Sequence, residues 1–228
     1  MTTLDAPTTS LAATPADPIR RNLLTSAGGI ALLASPLLLT GGMLTIPPGE
    51  DGTTAGYVAS LAATPWLTAL SAGLLHYSWV LFALGVLAVP ALVRGGRGRS
   101  VVGAVAVLSS FCAIQLSGLL AGDWYAMAIG RSVPRDQAAT IFEAAGSDLW
   151  MTTWLWSGKL VGFLGVALLA GALAHARATS WWLLALPVLG TAAMVVLPGL
   201  LGTPGVALGT LISFVPLLVI GARLVRRR

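Results

Sequence analysis

From Asn22 onward the chain is a succession of long apolar runs broken by short polar or basic turns. Six runs approach or exceed the ~20 apolar residues a helix needs to cross a bilayer core. They cover about Asn22–Ile46, Trp66–Val93, Val101–Gly122, Leu149–Ala174, Ser180–Leu201 and Gly205–Ala222. A lipid-embedded segment must satisfy its own backbone polar groups, so uninterrupted runs of this length fold as helices. The predicted fold is therefore all-α, a polytopic bundle of six transmembrane helices. Pro47-Pro48 stops the first run, and Pro187 and Pro198 predict kinks in the fifth.

Two longer polar intervals carry patterns of their own. Between Gly49 and Pro65, the stretch Thr54–Ala63 places Tyr57, Val58 and Leu61 on one helical face. In residues 126–148, Ser132-Val133-Pro134 has the form of a helix start, with proline tolerated in the first turn. Ala138, Ile141, Phe142 and Ala145 then recur at i, i+3, i+4 and i+7, and Gly146 is a natural stop. Both intervals predict short amphipathic helices in outer loops, forming a partial lid, and Asp148 is placed to cap the fourth span. Residues 1–19 are rich in Thr, Ala and Pro without helical periodicity and predict a disordered cytoplasmic tail. A signal peptide fits less well, because Arg20-Arg21 comes late and the apolar run behind it is too long.

Composition supports this pattern. Only 9% of residues are charged, against about 25% in soluble domains, so the chain cannot cover a water-facing surface. The formal net charge is +5, but the arginines flank apolar runs, where they orient a membrane protein. The partner this implies is the lipid bilayer, with no nucleic acid. With the N-terminus inside, Arg20, Arg21, Arg94, Arg97, Arg99, Arg177, Arg223, Arg226, Arg227 and Arg228 all fall on the cytoplasmic side. Arg131 and Arg135 fall outside, with Glu50, Asp51, Asp136, Glu143 and Asp148. The expectation is a multi-pass protein of the cell membrane with both termini cytoplasmic. Cys112 stands alone within a span, and there is no CxxC pattern.

Lys159, the only lysine, sits inside the fourth apolar run behind the Trp154/Trp156 rim. A cation there needs a partner, water or a route to the interface. At ~1.5 Å per helical residue, Lys159, His76 and Gln115 all lie roughly 12–15 Å below the outer end of their spans, with Ser117 near the same level. Side chains lean toward a helix N-terminus, so Lys159 and Asp123 on antiparallel neighbours lean toward each other. The expectation is an outer-half polar cluster of Lys159, Asp123, His76, Gln115 and Trp156, open to a small-molecule or lipid ligand. Three readings remain for Lys159: snorkelling to the headgroups, a structural pair with Asp123, or a substrate or proton site. His76 reads as a packing histidine or a proton carrier, and Gln115 as interhelical glue or a ligand contact. Gly158-x-x-x-Gly162 and Gly205-x-x-x-Gly209 permit close helix approach, within the chain in preference to dimerisation.

No HExxH, GxSxG or P-loop occurs, the histidines are too far apart in depth to share a haem, and no metal-ligand spacing is present. No cofactor or metal is expected, and the enzyme reading is lowered. The favoured function is an accessory, sensing or small-ligand-binding membrane protein. A small transporter or proton-coupled permease is the rival, and a membrane enzyme acting on lipid or quinone comes third.

The basic tail, six spans, the ending Pro90-Ala91-Leu92-Val93-Arg94, the glycine- and arginine-rich turn after it and the outer amphipathic segment together resemble a family of uncharacterised six-span integral membrane proteins from GC-rich bacteria. The resemblance covers about residues 20–225 and implies a membrane fold. It carries no site residues.

Overall fold

The computed structural model describes residues 18–49 and 51–227, and the side chains from Leu23 onward other than those of Val161 and Phe163. In chain order the helices are α1 (Pro18–Leu44), α2 (Thr54–Ala63), α3 (Pro65–Val86), α4 (Arg99–Leu119), α5 (Ala121–Ser132), α6 (Arg135–Gly146), α7 (Leu149–His175), α8 (Ala185–Val196), α9 (Pro198–Leu201) and α10 (Thr203–Arg226). Short 3-10 turns at Val89–Leu92 and Trp181–Leu184 follow α3 and precede α8. There is no strand among the described residues.

Four helical stretches are long and apolar enough to cross a membrane: Leu23–Leu44, Pro65–Val86, Arg99–Ser132 and Thr203–Arg226. Leu149–Leu160 with Leu164–His175, bent by 44°, is a fifth if the bent pair forms one span. Large apolar side chains cover the outside of the bundle, with Leu200 77% and Val195 78% exposed. Water would penalise such a surface, whereas lipid accepts it.

Helix α1 packs against α3 and α10, α4 packs against α3 and α7, and α8 packs on α10. The core runs through Leu32, Leu39, Phe82, Leu169, Phe214 and Leu217, all 1% exposed or less. Glycines set the closest crossings. A Cβ on Gly29 would lie 2.8 Å from the Gly221 carbonyl, and one on Gly221 would lie 2.7 Å from the Gly29 carbonyl. A Cβ on Gly209 would lie 2.5 Å from the Met194 amide, and Gly205 abuts Leu197 and Pro198. Gly158 and Gly162 abut Gln115 and Leu116. Both GxxxG stretches are therefore occupied within the chain. Buried serines bond across the same seams: Ser78 Oγ donates to the Ser35 carbonyl at 2.9 Å, and Ser110 Oγ to the Ala83 carbonyl at 2.9 Å.

Three expectations need adjustment. The run read as a third span ending at Gly122 continues as helix to Ser132, with only a tight turn at Leu120. Apolar and aromatic residues continue through Ile129, and α5 has α2 to pack on. The run expected as a fifth span, 180–201, is divided among a 3-10 turn, α8 and α9, with Pro198 at the first position of α9. Of the expected tail, residues 1–17 lie outside the described residues, and Pro18-Ile19 already belong to α1.

A second, smaller core joins the short helices. Val58 and Leu61 of α2, Ala126 of α5 and Ala138 of α6 are buried together, with Met127, Ile129, Val133 and Phe142 packed around them. These three helices form a cap on the end of the bundle that carries the carboxylates Asp51, Asp123, Asp136, Glu143 and Asp148.

Candidate functional site: an apolar cleft with one lysine

Between the cap and the bundle lies a cleft of about 620 Å³. Met151, Leu155 and Lys159 follow one another at i, i+4 and i+8 on α7 and form one wall. Leu119, Leu120 and Ile129 form the facing wall, Phe142 and Ala145 of α6 lie at the cap, and Trp79 lies on the floor. The polar groups on this lining are the Lys159 ammonium, the Asp123 carboxylate and the hydroxyls of Tyr57 and Tyr125. The helix start that orients Lys159 is well defined: Asp148 Oδ1 accepts from the amides of Trp150 at 2.8 Å and Met151 at 3.2 Å.

Asp123 is held from the cap. The Tyr57 hydroxyl donates a short hydrogen bond to Asp123 Oδ1. The Tyr57 ring is tilted at 54° against Phe142, with centroids 5.7 Å apart. Burial, and then the Asp123 charge, push the Tyr57 phenol far above its ordinary value, so it remains a donor. The loop before α2 is tied to α6 by Arg135 Nη2 donating to Asp51 Oδ2 at 3.0 Å. Asp51 Oδ1 accepts from the Thr53 hydroxyl at 2.6 Å and the Thr53 amide at 3.0 Å. The Thr53 bonds, reinforced by Arg135, hold the Asp51 carboxyl below its usual range. Thr53 in turn caps α2 by accepting from the Gly56 amide at 3.0 Å.

The expected cluster is divided among four places. Lys159 and Asp123 line the same cleft, but no ion pair joins them among the described residues. Lys159 is exposed, and the hydrogen-bond partner of Asp123 is Tyr57. His76 is off the cleft wall, with Nδ1 2.8 Å from Ser117 Oγ and 3.1 Å from the Ser117 carbonyl oxygen, joining α3 to α4. Gln115 joins α4 to α7: its Oε1 accepts from Ser157 Oγ at 2.5 Å, and its carbonyl accepts from Trp154 Nε1 at 3.1 Å. Trp156 is 57% exposed and does not line the cleft.

Tyr57 and Trp79 are among the lining residues not singled out from sequence as site candidates. Tyr57 was legible only as one member of the apolar face of α2. Trp79 had no signal to separate it from the other tryptophans.

An apolar chamber of this size falls in the ~300–1,000 Å³ range of small-molecule sites. One cation and one hydroxyl-bonded carboxylate are set into its otherwise apolar lining. Among the described residues no three His, Cys, Asp or Glu side chains converge as a metal site requires. No protein-family model, curated protein or solved structure matches this chain.

Proposed function

We propose that this is a six-span integral protein of the cell membrane, with both termini cytoplasmic, that binds a small amphipathic ligand in the cleft beneath its outer cap. In this reading it serves as an accessory or sensing protein and not as an enzyme. The observation that carries the reading is Lys159: a cation on an apolar wall, one helical turn beyond Leu155 and without a carboxylate partner among the described residues. An anionic end on the ligand supplies that partner, while the hydrocarbon body lies against Met151, Leu155, Leu119 and Leu120.

Six spans are supported by the lipid-compatible outer surface and by α8 and α9, which together continue the apolar path between α7 and α10. At ~1.5 Å per residue, the 34 residues of Arg99–Ser132 exceed a ~30 Å bilayer core. The cap helix α5 then stands at the outer boundary, with Asp123 near the interface.

A binding pocket is favoured over a transport path by the cleft floor. Trp79 meets Phe82 and Phe214 edge-on, with ring centroids 5.9 and 5.8 Å away. Both phenylalanines are fully buried one layer deeper. Such a block closes the floor of the cleft toward the centre of the bundle.

The test is photolabelling of the full-length protein in nanodiscs with a diazirine-bearing fatty acid. The expected result is labelling concentrated on Met151, Leu155 and Leu119, competed by unlabelled fatty acid and weakened by Lys159→Met. Labelling spread evenly over the lipid-facing surface, unchanged by Lys159→Met, would overturn the reading.

A further inference from the structure

The opposite end of the bundle holds a second recess, separate from the cleft, of about 590 Å³. Six arginines line it: Arg94, Arg97, Arg177, Arg223, Arg226 and Arg227. They come from three chain segments that are distant in sequence: the turn before α4, the turn after α7 and the end of α10. Segments 86–101, 172–183 and 221–227 contain no Asp or Glu, and no carboxylate lines the recess among the described residues.

The convergence is built by the fold. Gly98 takes φ +71°, and a Cβ there would lie 3.0 Å from Ala176 Cβ, so the turn bearing Arg94 and Arg97 is seated on the end of α7. Arg223 Nη1 donates to the Ala178 carbonyl at 2.5 Å, which joins the end of α10 to the turn after α7.

Arg177 is the most informative of the six. Helix α7 ends in a Schellman motif: the Arg177 amide donates to the Ala174 carbonyl at 2.9 Å, and the Ala178 amide to the Leu173 carbonyl at 2.9 Å. The residue at the left-handed position of such a motif is usually glycine. Here it is Arg177, with φ +57°, the only non-glycine residue with positive φ among those described. The conformation disfavours any side chain, so the guanidinium is present at a conformational cost.

Two ordinary roles account for only part of this charge. Arginine on the cytoplasmic side orients a membrane protein, but orientation does not require three turns to face one recess. Cations also complement helix C-termini, and α7 and α10 both end here. Each helix end contributes only about half a negative charge, and the N-terminus of α4 opposes them. The five guanidiniums other than Arg227 therefore already leave a large positive surplus around one concavity.

We infer that this recess binds a phosphate-bearing anion, with the planar guanidinium forks taking phosphate oxygens in pairs. A polyvalent group with two phosphates matches several converging guanidiniums better than a single carboxylate does. Such a group is presented either by an anionic lipid headgroup of the adjoining leaflet or by a soluble phosphoanhydride. Because the arginines other than Arg227 are well exposed, the binding weakens as salt is raised.

The experiment uses the full-length protein in nanodiscs of zwitterionic lipid. Diphosphatidylglycerol is the lipid probe, followed by native mass spectrometry. Inorganic pyrophosphate is the soluble probe, followed by calorimetry. Arg177→Gly is the decisive variant, because glycine relieves the left-handed backbone and the fold is retained or strengthened. Arg99→Gln is the charge-matched control, at the same end of the bundle but outside the recess.

The expected result is that Arg177→Gly and Arg97→Gln each weaken binding roughly five-fold, while Arg99→Gln does not. Selective binding of the lipid assigns the site to the bilayer, selective binding of pyrophosphate assigns it to a soluble ligand, and either outcome supports the inference. Failure of both probes to bind the wild-type protein, or an equal loss in Arg99→Gln, would overturn it.

Discussion

The hydroxyl of Tyr57, in the first turn of α2, donates to the carboxylate of Asp123 in the first turn of α5, 66 residues further along the chain. This bond fastens α2 to α5, the cap helix that continues from α4 beside the cleft. It also fixes where the negative charge stands relative to the apolar walls. A carboxylate at a half-buried site needs donors if it is to stay charged, and Tyr57 provides one from a loop helix and not from a neighbouring span.

Replacing Tyr57 with Phe removes that donor and little volume. The expected cost to the cap is about 1–2 kcal/mol, near the value for a hydrogen bond to a charged group in a partly exposed setting. Hydrogen exchange should quicken in α2 and the start of α5 while the α1–α3–α10 core is unaffected. The phenol value is raised in the folded state, so its contribution is fully present below pH ~10 and is lost only as the pH rises beyond that. The cap should therefore be insensitive to pH between neutrality and pH ~10 in the wild-type protein.

The Asp51–Arg135 contact predicts the opposite pH sensitivity. The Asp51 carboxyl is held low, chiefly by the Thr53 hydroxyl and amide and then by Arg135. A depressed carboxyl value stabilises the fold above its unfolded value of about 4 and loses that effect as the pH falls below it. Limited proteolysis of the loop between α1 and α2 should be slow and constant from pH 8 to pH 5 and faster in more acidic solution. Asp51→Asn should show the faster cleavage already at pH 7.

Close helix crossings predict where added volume is not tolerated. A Cβ on Gly190 would fall on the Ser213 amide and hydroxyl and within 2.6 Å of the Gly209 carbonyl, so backbone must move. Gly190→Ala should lower stability by about 1–3 kcal/mol. Gly199→Ala meets nothing within 4 Å and should be neutral or slightly stabilising through helix propensity. Thermal unfolding of the two variants in one detergent separates a packing effect from a general effect of alanine.

Thiol chemistry tests the placement of the bundle in the bilayer. Cys112 is 2% exposed and should resist a membrane-impermeant maleimide until the protein is denatured. In a Cys112→Ser background, Ser147→Cys should label in intact cells and Gly96→Cys only after lysis. The reverse pattern would invert the proposed orientation.

Much of the local structure was legible in the sequence. Helix α2 covers the stretch marked by Tyr57, Val58 and Leu61, α6 begins just after Pro134, and Asp148 caps α7. These features depend on neighbouring residues and on turn chemistry, which a linear pattern records. Continuation of the helix past Asp123 was not legible, because the reason for it is packing on α2, a contact distant in sequence. The fifth apolar run was legible in part: Pro198, marked as a kink, stands where α9 begins, while the 3-10 turn at Trp181–Leu184 has no mark in a uniformly apolar pattern.

For the candidate site, depth was easier to read than direction. A fixed rise per residue places His76, Gln115 and Lys159 at similar levels, but the face each presents depends on how the helices rotate against one another. That rotation is set by glycine contacts such as Gly162 on Leu116 and by serine bonds between helices. It turns His76 toward Ser117 and Gln115 toward Ser157, while Lys159 remains on the cleft wall.

The most direct test of the ligand-binding account is native mass spectrometry of the wild-type protein and of Lys159→Met, extracted in the same mild detergent from the same cells. The account predicts a bound amphipathic anion of defined mass on the wild-type protein and its loss, with the fold intact, from Lys159→Met. An identical set of adducts on both proteins would contradict it.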